Sequence, residues 1–77
     1  MAQNGQNLVG GRVKEARTKA QLTQEELSER LAKLNVPIDR AGVAKIETGI
    51  RGVLDFELVA LAKALGVKTV WLLGIKE

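Results

Sequence analysis

The amino-acid sequence predicts an all-α domain of five short helices, and three observations support this prediction. Apolar residues recur at every third or fourth position, which is the period of an amphipathic helix. Residues that begin and end helices, Thr or Asp in front and Gly behind, separate these segments. Aromatic residues are scarce, with one Trp, one Phe and no Tyr, so aliphatic side chains must form the core, which suits helices better than a sheet.

The 77 residues and 8.3 kDa of the chain correspond to one domain. Residues 1–7 carry no charged side chain, in contrast to the basic start of a signal peptide. We expect them to form a flexible tail, and residues 8–77 to form the domain. No apolar run approaches the roughly 20 residues of a membrane span, so we expect no membrane association and a cytoplasmic location.

The first two helices are predicted from apolar spacing and from a capping motif. The first runs from about Val9 to Ala20, and its apolar face comprises Val9, Val13, Ala16 and Ala20. The second begins after Thr23, which forms a capping box with Glu26. It ends before Pro37, because proline disfavours a helical conformation at the preceding residue. Its buried face is predicted to be Leu27, Leu31 and Leu34.

The third helix begins at Asp39, a second N-cap, and runs to about Thr48 before Gly49 stops it. Gly42 in its interior costs about 1 kcal/mol relative to Ala. Such a glycine indicates the close approach of a neighbouring helix or of a ligand backbone. The core pair of this helix is Val43 and Ile46.

Two further helices complete the predicted domain. Asp55 caps the fourth helix and Gly66 ends it, while Thr69 caps a short fifth helix that Gly74 closes. The apolar face of the fourth helix is formed by Leu58, Leu61, Ala62 and Leu65.

Several function classes are excluded by composition. The chain has no Cys and no His, and therefore lacks the thiol nucleophile, the thiolate zinc ligand and the commonest general base. An enzyme would need paired carboxylates or an activated Lys in a pocket, for which 77 residues leave little room. We expect no enzyme activity, no metal, no cofactor and no small-molecule ligand.

The charge distribution allows two interpretations. Twelve Lys and Arg against nine Asp and Glu give a net charge of +3, and residues 1–54 carry nine basic and six acidic side chains. A basic face for a polyanion is one interpretation, and ordinary solubility charge is the other.

Three segments resemble the Xre-type helix-turn-helix family, which includes phage repressors and Cro proteins. They are LTQEELSERL at 22–31, VAKIETG at 43–49 and DFELVALAKALGV at 55–67. With further matches in the first helix, the resemblance covers about residues 10–74, and the motif spans about 23–49. It implies a five-helix, lambda-repressor-like domain that binds double-stranded DNA.

The resemblance also implies which residues read the bases. The helix at 39–48 would lie in the major groove, and position-matching makes Arg40, Ala41 and Lys45 the base-reading candidates. A solvated helix face is the alternative interpretation of these residues. The face is poor in long polar side chains, which favours low sequence specificity or a dependence on DNA shape and backbone contacts.

Other family positions imply backbone contacts and a structural ion pair. Gln24 and Arg51 match family positions at the DNA backbone, and the alternatives are a surface role for Gln24 and an idle loop role for Arg51. Thr23 is mainly a cap and is a further candidate for a backbone contact. Arg17 and Glu47 match an ion pair between the first helix and the end of the third, which we interpret as structural. The turn at 32–38 is longer than is usual in the family.

The apolar C-terminal cluster has two interpretations. It closes the core beneath the fourth helix, or it forms a two-fold interface, as palindromic half-sites require. We expect a homodimer, with Trp71 as the best interface candidate and Leu72 and Ile75 beside it.

These observations predict a sequence-specific regulator of transcription that binds double-stranded DNA, a bacterial or phage repressor. The alternative is a protein-interaction module, such as an antitoxin or an adaptor, with weak DNA reading and a protein partner.

Overall fold

The computed structural model describes residues 7–75, and these residues form an all-α domain, as predicted. Its five helices are α1 (Gly10–Lys19), α2 (Gln24–Lys33), α3 (Arg40–Glu47), α4 (Asp55–Leu65) and α5 (Thr69–Leu72). No strand occurs among the described residues. The predicted tail falls largely on residues 1–6, which lie outside this range together with residues 76–77.

The core lies where the apolar faces of the five helices meet. α3 packs on α1 and α2, while α4 packs on α1, α2 and α5. The largest side chains without exposed surface come from all five helices: Val13, Leu27, Leu31, Val43, Ile46, Leu61 and Leu72. Each such aliphatic side chain contributes about 1.5–3 kcal/mol through its burial. The core therefore fixes the position of α3, the helix in which the sequence placed the base-reading residues.

Helix starts agree with prediction in α2 and α3 and differ by one residue in α4 and α5. The Thr23 hydroxyl accepts from the Glu26 N–H at 3.0 Å, and the Glu26 carboxylate accepts from the Thr23 N–H at 2.8 Å. Asp39 accepts from the Gly42 N–H at 2.7 Å. Asp55 and Thr69, predicted as N-caps, are instead the first residues of their helices.

The shift in α4 has a clear physical cause. The Glu57 carboxylate accepts a hydrogen bond from the backbone N–H of Leu54 at 3.0 Å, so the capping interaction is centred on Leu54. Leu54 has an extended backbone, and the helix begins at the next residue. In α5 the extended residue is Lys68, and no side chain caps the helix.

Each helix is followed by a residue with a left-handed backbone. The five residues with positive φ in the described chain are Gln21, Asn35, Gly49, Gly66 and Gly74. At each of these five helix ends the residue that follows donates its N–H to the carbonyl five residues before it, as in a Schellman motif. At Gly66, for example, the N–H of Val67 donates to the carbonyl of Ala62. The three glycine stops were predicted, whereas Gln21 and Asn35 were not.

Two residues bring the start of α1 against the end of α3. Gly10 has no room for a Cβ atom, which would overlap the carbonyl oxygen of Ile46. Asn7, expected in the flexible tail, is buried: its amide nitrogen donates to Ile46 O at 2.7 Å and to Arg51 O at 3.1 Å. Its side-chain oxygen accepts from the N–H groups of Val9 and Gly10. Asn7 therefore belongs to the packed domain and not to the tail in which it was expected.

Candidate nucleic-acid interface

The two faces of α3 differ completely in exposure. Val43 and Ile46 have no exposed surface and pack into the core. Arg40, Ala41 and Lys45, the residues predicted to read bases, are all exposed. They lie on the side of the helix that faces away from the core, because positions one and five residues after Arg40 fall on the arc opposite Val43 and Ile46.

The connection between α2 and α3 is tied to the start of α3. The Ser28 hydroxyl in α2 donates to the Ile38 carbonyl at 2.6 Å. A Cβ at Gly42 would lie 2.8 Å from Cγ2 of Ile38 and 3.1 Å from Oδ1 of Asp39. The close approach that Gly42 indicated is thus made by the connection itself. These contacts hold the connection between α2 and α3 in place.

The first turn of α2 lies beside the last turn of α3. The Gln24 side-chain nitrogen donates to Oε1 of Glu47 at 3.1 Å. Thr23 caps the helix, and the hydroxyl oxygen is occupied as an acceptor. Both predicted backbone-contacting residues of α2 therefore stand at the helix N-terminus, where the partial positive charge of the helix favours anions.

The ion pair between α1 and α3 is bidentate and nearly buried. Nε of Arg17 donates to Oε2 of Glu47 at 2.6 Å, and Nη2 donates to Oε1 at 3.1 Å. The two side chains are 12% and 2% exposed. Nη1 of Arg17 also donates to the carbonyl of Leu22 at 2.8 Å, which ties the α1–α2 connection to the same point. The hydrogen bonds to Glu47 raise the pKa of Arg17.

Arg51 has a structural partner that the sequence reasoning did not identify. Its two terminal nitrogens donate to the carboxylate of Glu57 at 3.0 and 2.9 Å, and Nη1 donates to Gly52 O as well. The hydrogen bonds from Arg51 lower the pKa of Glu57, and those to Glu57 raise the pKa of Arg51. Arg51 thus helps to fix the α3–α4 connection, and its contact with the DNA backbone stays a prediction.

The predicted dimer candidates of α5 have three different environments. Leu72 has no exposed surface and belongs to the core, so its assignment to an interface was wrong. Trp71 is half-buried, and the guanidinium of Arg12 lies 4.8 Å from the centre of its ring. Ile75 is exposed. The sequence could not show which of these three residues faces the core, because a four-residue helix is too short to show a helical period.

Asn7 is a second structural residue, besides Glu57, that was not identified from the sequence. It joins α1 to the carbonyl of Ile46 near the end of α3, and thereby helps to hold that helix. The sequence did contain an indication of this role. Asn is a common capping residue, and a capping side chain accepts from the N–H two or three residues later, as Asn7 does from Gly10.

Neither a membrane-spanning helix nor a cluster of metal ligands occurs among the described residues. None of the helices between residues 7 and 75 combines the length and hydropathy that a membrane crossing needs. Within the same range no three His, Cys, Asp or Glu side chains are grouped to hold a metal ion. Every buried side-chain nitrogen and oxygen there has a hydrogen-bond partner.

Comparison with known proteins gives one family and similar solved structures. A sequence model of the helix-turn-helix family matches residues 13–72. The restriction-modification controller protein C.AhdI from Aeromonas hydrophila is similar with a TM-score of 0.73 and 34% identity, over 84% of this chain and 90% of that chain. The P22 c2 repressor in complex with synthetic operator 9T in the presence of Tl+ has the same fold, with a TM-score of 0.73 and 24% identity over 87% and 94%. No curated protein matches the chain.

Proposed function

The chain belongs to the helix-turn-helix family and is a DNA-binding transcriptional regulator, and we propose that α3 reads double-stranded DNA. In this motif the second helix lies in the major groove with its first residues at the base edges, and the first helix crosses the backbone. Here the second helix is α3 and the first is α2. Arg40, Ala41 and Lys45 then face the bases.

The exposed outer face of α3 carries this proposal. Arg40 and Lys45 can donate hydrogen bonds to O6 and N7 of guanine, and Ala41 can contact the methyl group of thymine. The three ion pairs among residues 7–75 include neither Arg40 nor Lys45, so both cations are available for DNA.

We place the phosphate contacts at the start of α2. The amide group of Gln24 has a second hydrogen besides the one that it donates to Glu47, and the Thr23 hydroxyl accepts from the backbone but keeps its own proton. The first N–H groups of a helix have no partner within it, and they add donors at the same place. Because phosphate contacts supply much of the affinity, binding should weaken steeply as salt rises.

We further propose that the protein represses transcription and that it is not an enzyme. Repression by occupation of an operator needs only the contact with DNA. The family and the similar proteins support a regulatory role, and the DNA partner supports a cytoplasmic location in a bacterial cell.

The proposal is tested by selecting purified protein against a pool of randomised duplex DNA at near-physiological salt. Enrichment of a defined sequence is the expected outcome. Recovery of no motif, with weak binding that disappears as salt rises, would contradict base reading by α3 and favour a module that binds a protein partner.

A further inference from the structure

Two side chains on one face of α2 donate hydrogen bonds to the two ends of α3. Gln24 and Ser28 are four residues apart, so they lie on the same side of their helix. Gln24 donates to Glu47, the last residue of α3. The Ser28 hydroxyl donates to the Ile38 carbonyl at 2.6 Å, two residues before α3 begins. α2 therefore holds α3 at its end and just before its start.

The hydrogen bond of Ser28 is not one that α2 itself requires. A serine inside a helix commonly faces solvent or donates to the carbonyl four residues before it. Ser28 is instead half-buried and donates to a residue ten positions further along the chain. Alanine has a higher helix propensity than serine. The serine thus weakens α2 slightly and ties it to the connection that leads into α3.

This tie acts directly on the first turn of α3. Ile38 is buried and is followed by Asp39, the N-cap of the helix. Asp39 accepts from the Gly42 N–H through its side chain at 2.7 Å and from the Val43 N–H through its carbonyl at 2.9 Å. A shift of the Ile38 carbonyl therefore moves the cap, and with it Arg40, the first residue of α3.

We propose that Ser28 is a positioning residue for base reading, because its hydroxyl fixes the start of α3 and thereby directs Arg40 and Ala41 toward the bases. The inference rests on the proposed function, to which it adds a residue that needs no contact with DNA. Hydrogen bonds weaken steeply when donor and acceptor are misaligned. Since Glu47 holds the other end of α3, loss of the hydroxyl loosens the start of the helix and leaves Lys45 in place.

Amide hydrogen exchange of the free protein tests the tie without DNA. In Ser28→Ala we expect the N–H groups of Gly42 and Val43 to exchange about fivefold faster, because local opening no longer breaks the hydrogen bond of Ser28. The N–H of Thr48, which donates to Ala44, should keep its wild-type rate. Unchanged rates at Gly42 and Val43, or an equal increase at Thr48, would overturn the inference.

Base preferences measure the effect on reading. Arg40→Ala and Lys45→Ala first identify, in the sequence that the wild type selects, the base pair whose preference each side chain provides. In Ser28→Ala we expect the preference at the Arg40-dependent pair to fall about fivefold and that at the Lys45-dependent pair to fall less than about twofold. Preferences that are unchanged, or that fall equally at both pairs, would overturn the inference.

Two further variants separate the hydroxyl from other effects of the substitution. Ser28→Thr keeps a hydroxyl at the same position, and we expect it to restore both the exchange rate at Val43 and the preference at the Arg40-dependent pair. Thr18→Ala is the matched control, because it also removes a hydroxyl that donates to a backbone carbonyl, that of Glu15 within α1. The same loss of preference in Thr18→Ala as in Ser28→Ala would contradict a role specific to Ser28.

The result for the wild type distinguishes this inference from the proposed function. A wild type that selects no sequence would contradict base reading by α3 and, with it, any positioning for that reading. A wild type that selects a sequence, together with a Ser28→Ala variant that keeps every preference, would contradict the positioning role alone.

Discussion

Glu47, the last residue of α3, holds Arg17 of α1 through two hydrogen bonds and also accepts one from Gln24 at the start of α2. Three helices therefore meet at one carboxylate whose side chain is only 2% exposed. The side chain that sets the position of α3 also orients the residue proposed to contact phosphate. We therefore expect changes at Glu47 to affect both stability and DNA binding.

Glu47→Ala should destabilise the domain strongly. It leaves the guanidinium of Arg17 nearly buried without its anion, which costs about 3–5 kcal/mol in comparable buried pairs. Urea unfolding measures this, and Glu15→Ala is the control because its ion pair with Lys19 is exposed and contributes about 1 kcal/mol at most. An unchanged free energy of unfolding in Glu47→Ala would rule out a stabilising role for the pair.

Gly10→Ala should destabilise the domain by about 1–3 kcal/mol, because the new methyl group overlaps the backbone oxygen of Ile46. Gly11→Ala is the matched control, because no atom lies within 4 Å of a Cβ at that position. This change should raise the free energy of unfolding by about 0.5–1 kcal/mol, since Ala has a higher helix propensity than Gly. Equal free energies of unfolding for the two variants would refute the close approach of α1 to α3.

The Arg51–Glu57 pair should make stability depend on pH. The pKa of Glu57 in the folded state lies below its ordinary value of 4.5, chiefly because Arg51 donates hydrogen bonds to the ionised form. The pair therefore stabilises the fold fully above pH 4.5, and this contribution is lost as pH falls through the folded-state pKa.

Glu57→Gln isolates this effect. Urea unfolding of wild type and variant should differ most at neutral pH, and the difference should shrink as the pH falls below 4.5, because the wild-type carboxylate becomes neutral. A difference that stays constant with pH would show that Glu57 does not act through its charge.

The sequence predicted features that depend on neighbours in the chain. Thr23 with Glu26, and Asp39 with Gly42, are caps whose partners lie three residues away, so the motif itself contains the interaction. Gly49 was predicted to end α3 because a left-handed residue there favours glycine.

The features that were missed depend on contacts made by the fold. Gln21 adopts a left-handed backbone that its residue type does not favour, whereas Asn35 is of a type that tolerates this conformation, although the sequence analysis did not predict it there. Arg51 was expected at DNA, and the sequence did not show that α4 also presents the Glu57 carboxylate to it. Asn7 bonds to residues about 40 positions away, and only the packing of α1 on α3 brings them together.

The central claim, that the outer face of α3 reads DNA, is tested most directly by a ratio of dissociation constants. Binding is measured to the selected sequence and to a scrambled duplex at one salt concentration, for wild type, Arg40→Ala, Lys45→Ala and Lys33→Ala. Lys33 is an exposed lysine at the end of α2 and serves as the charge-matched control. The ratio is the Kd for the scrambled duplex divided by the Kd for the selected sequence. We predict that Arg40→Ala or Lys45→Ala reduces this ratio about tenfold or more, whereas Lys33→Ala leaves it unchanged. A ratio that is the same in all four proteins would contradict base reading by α3.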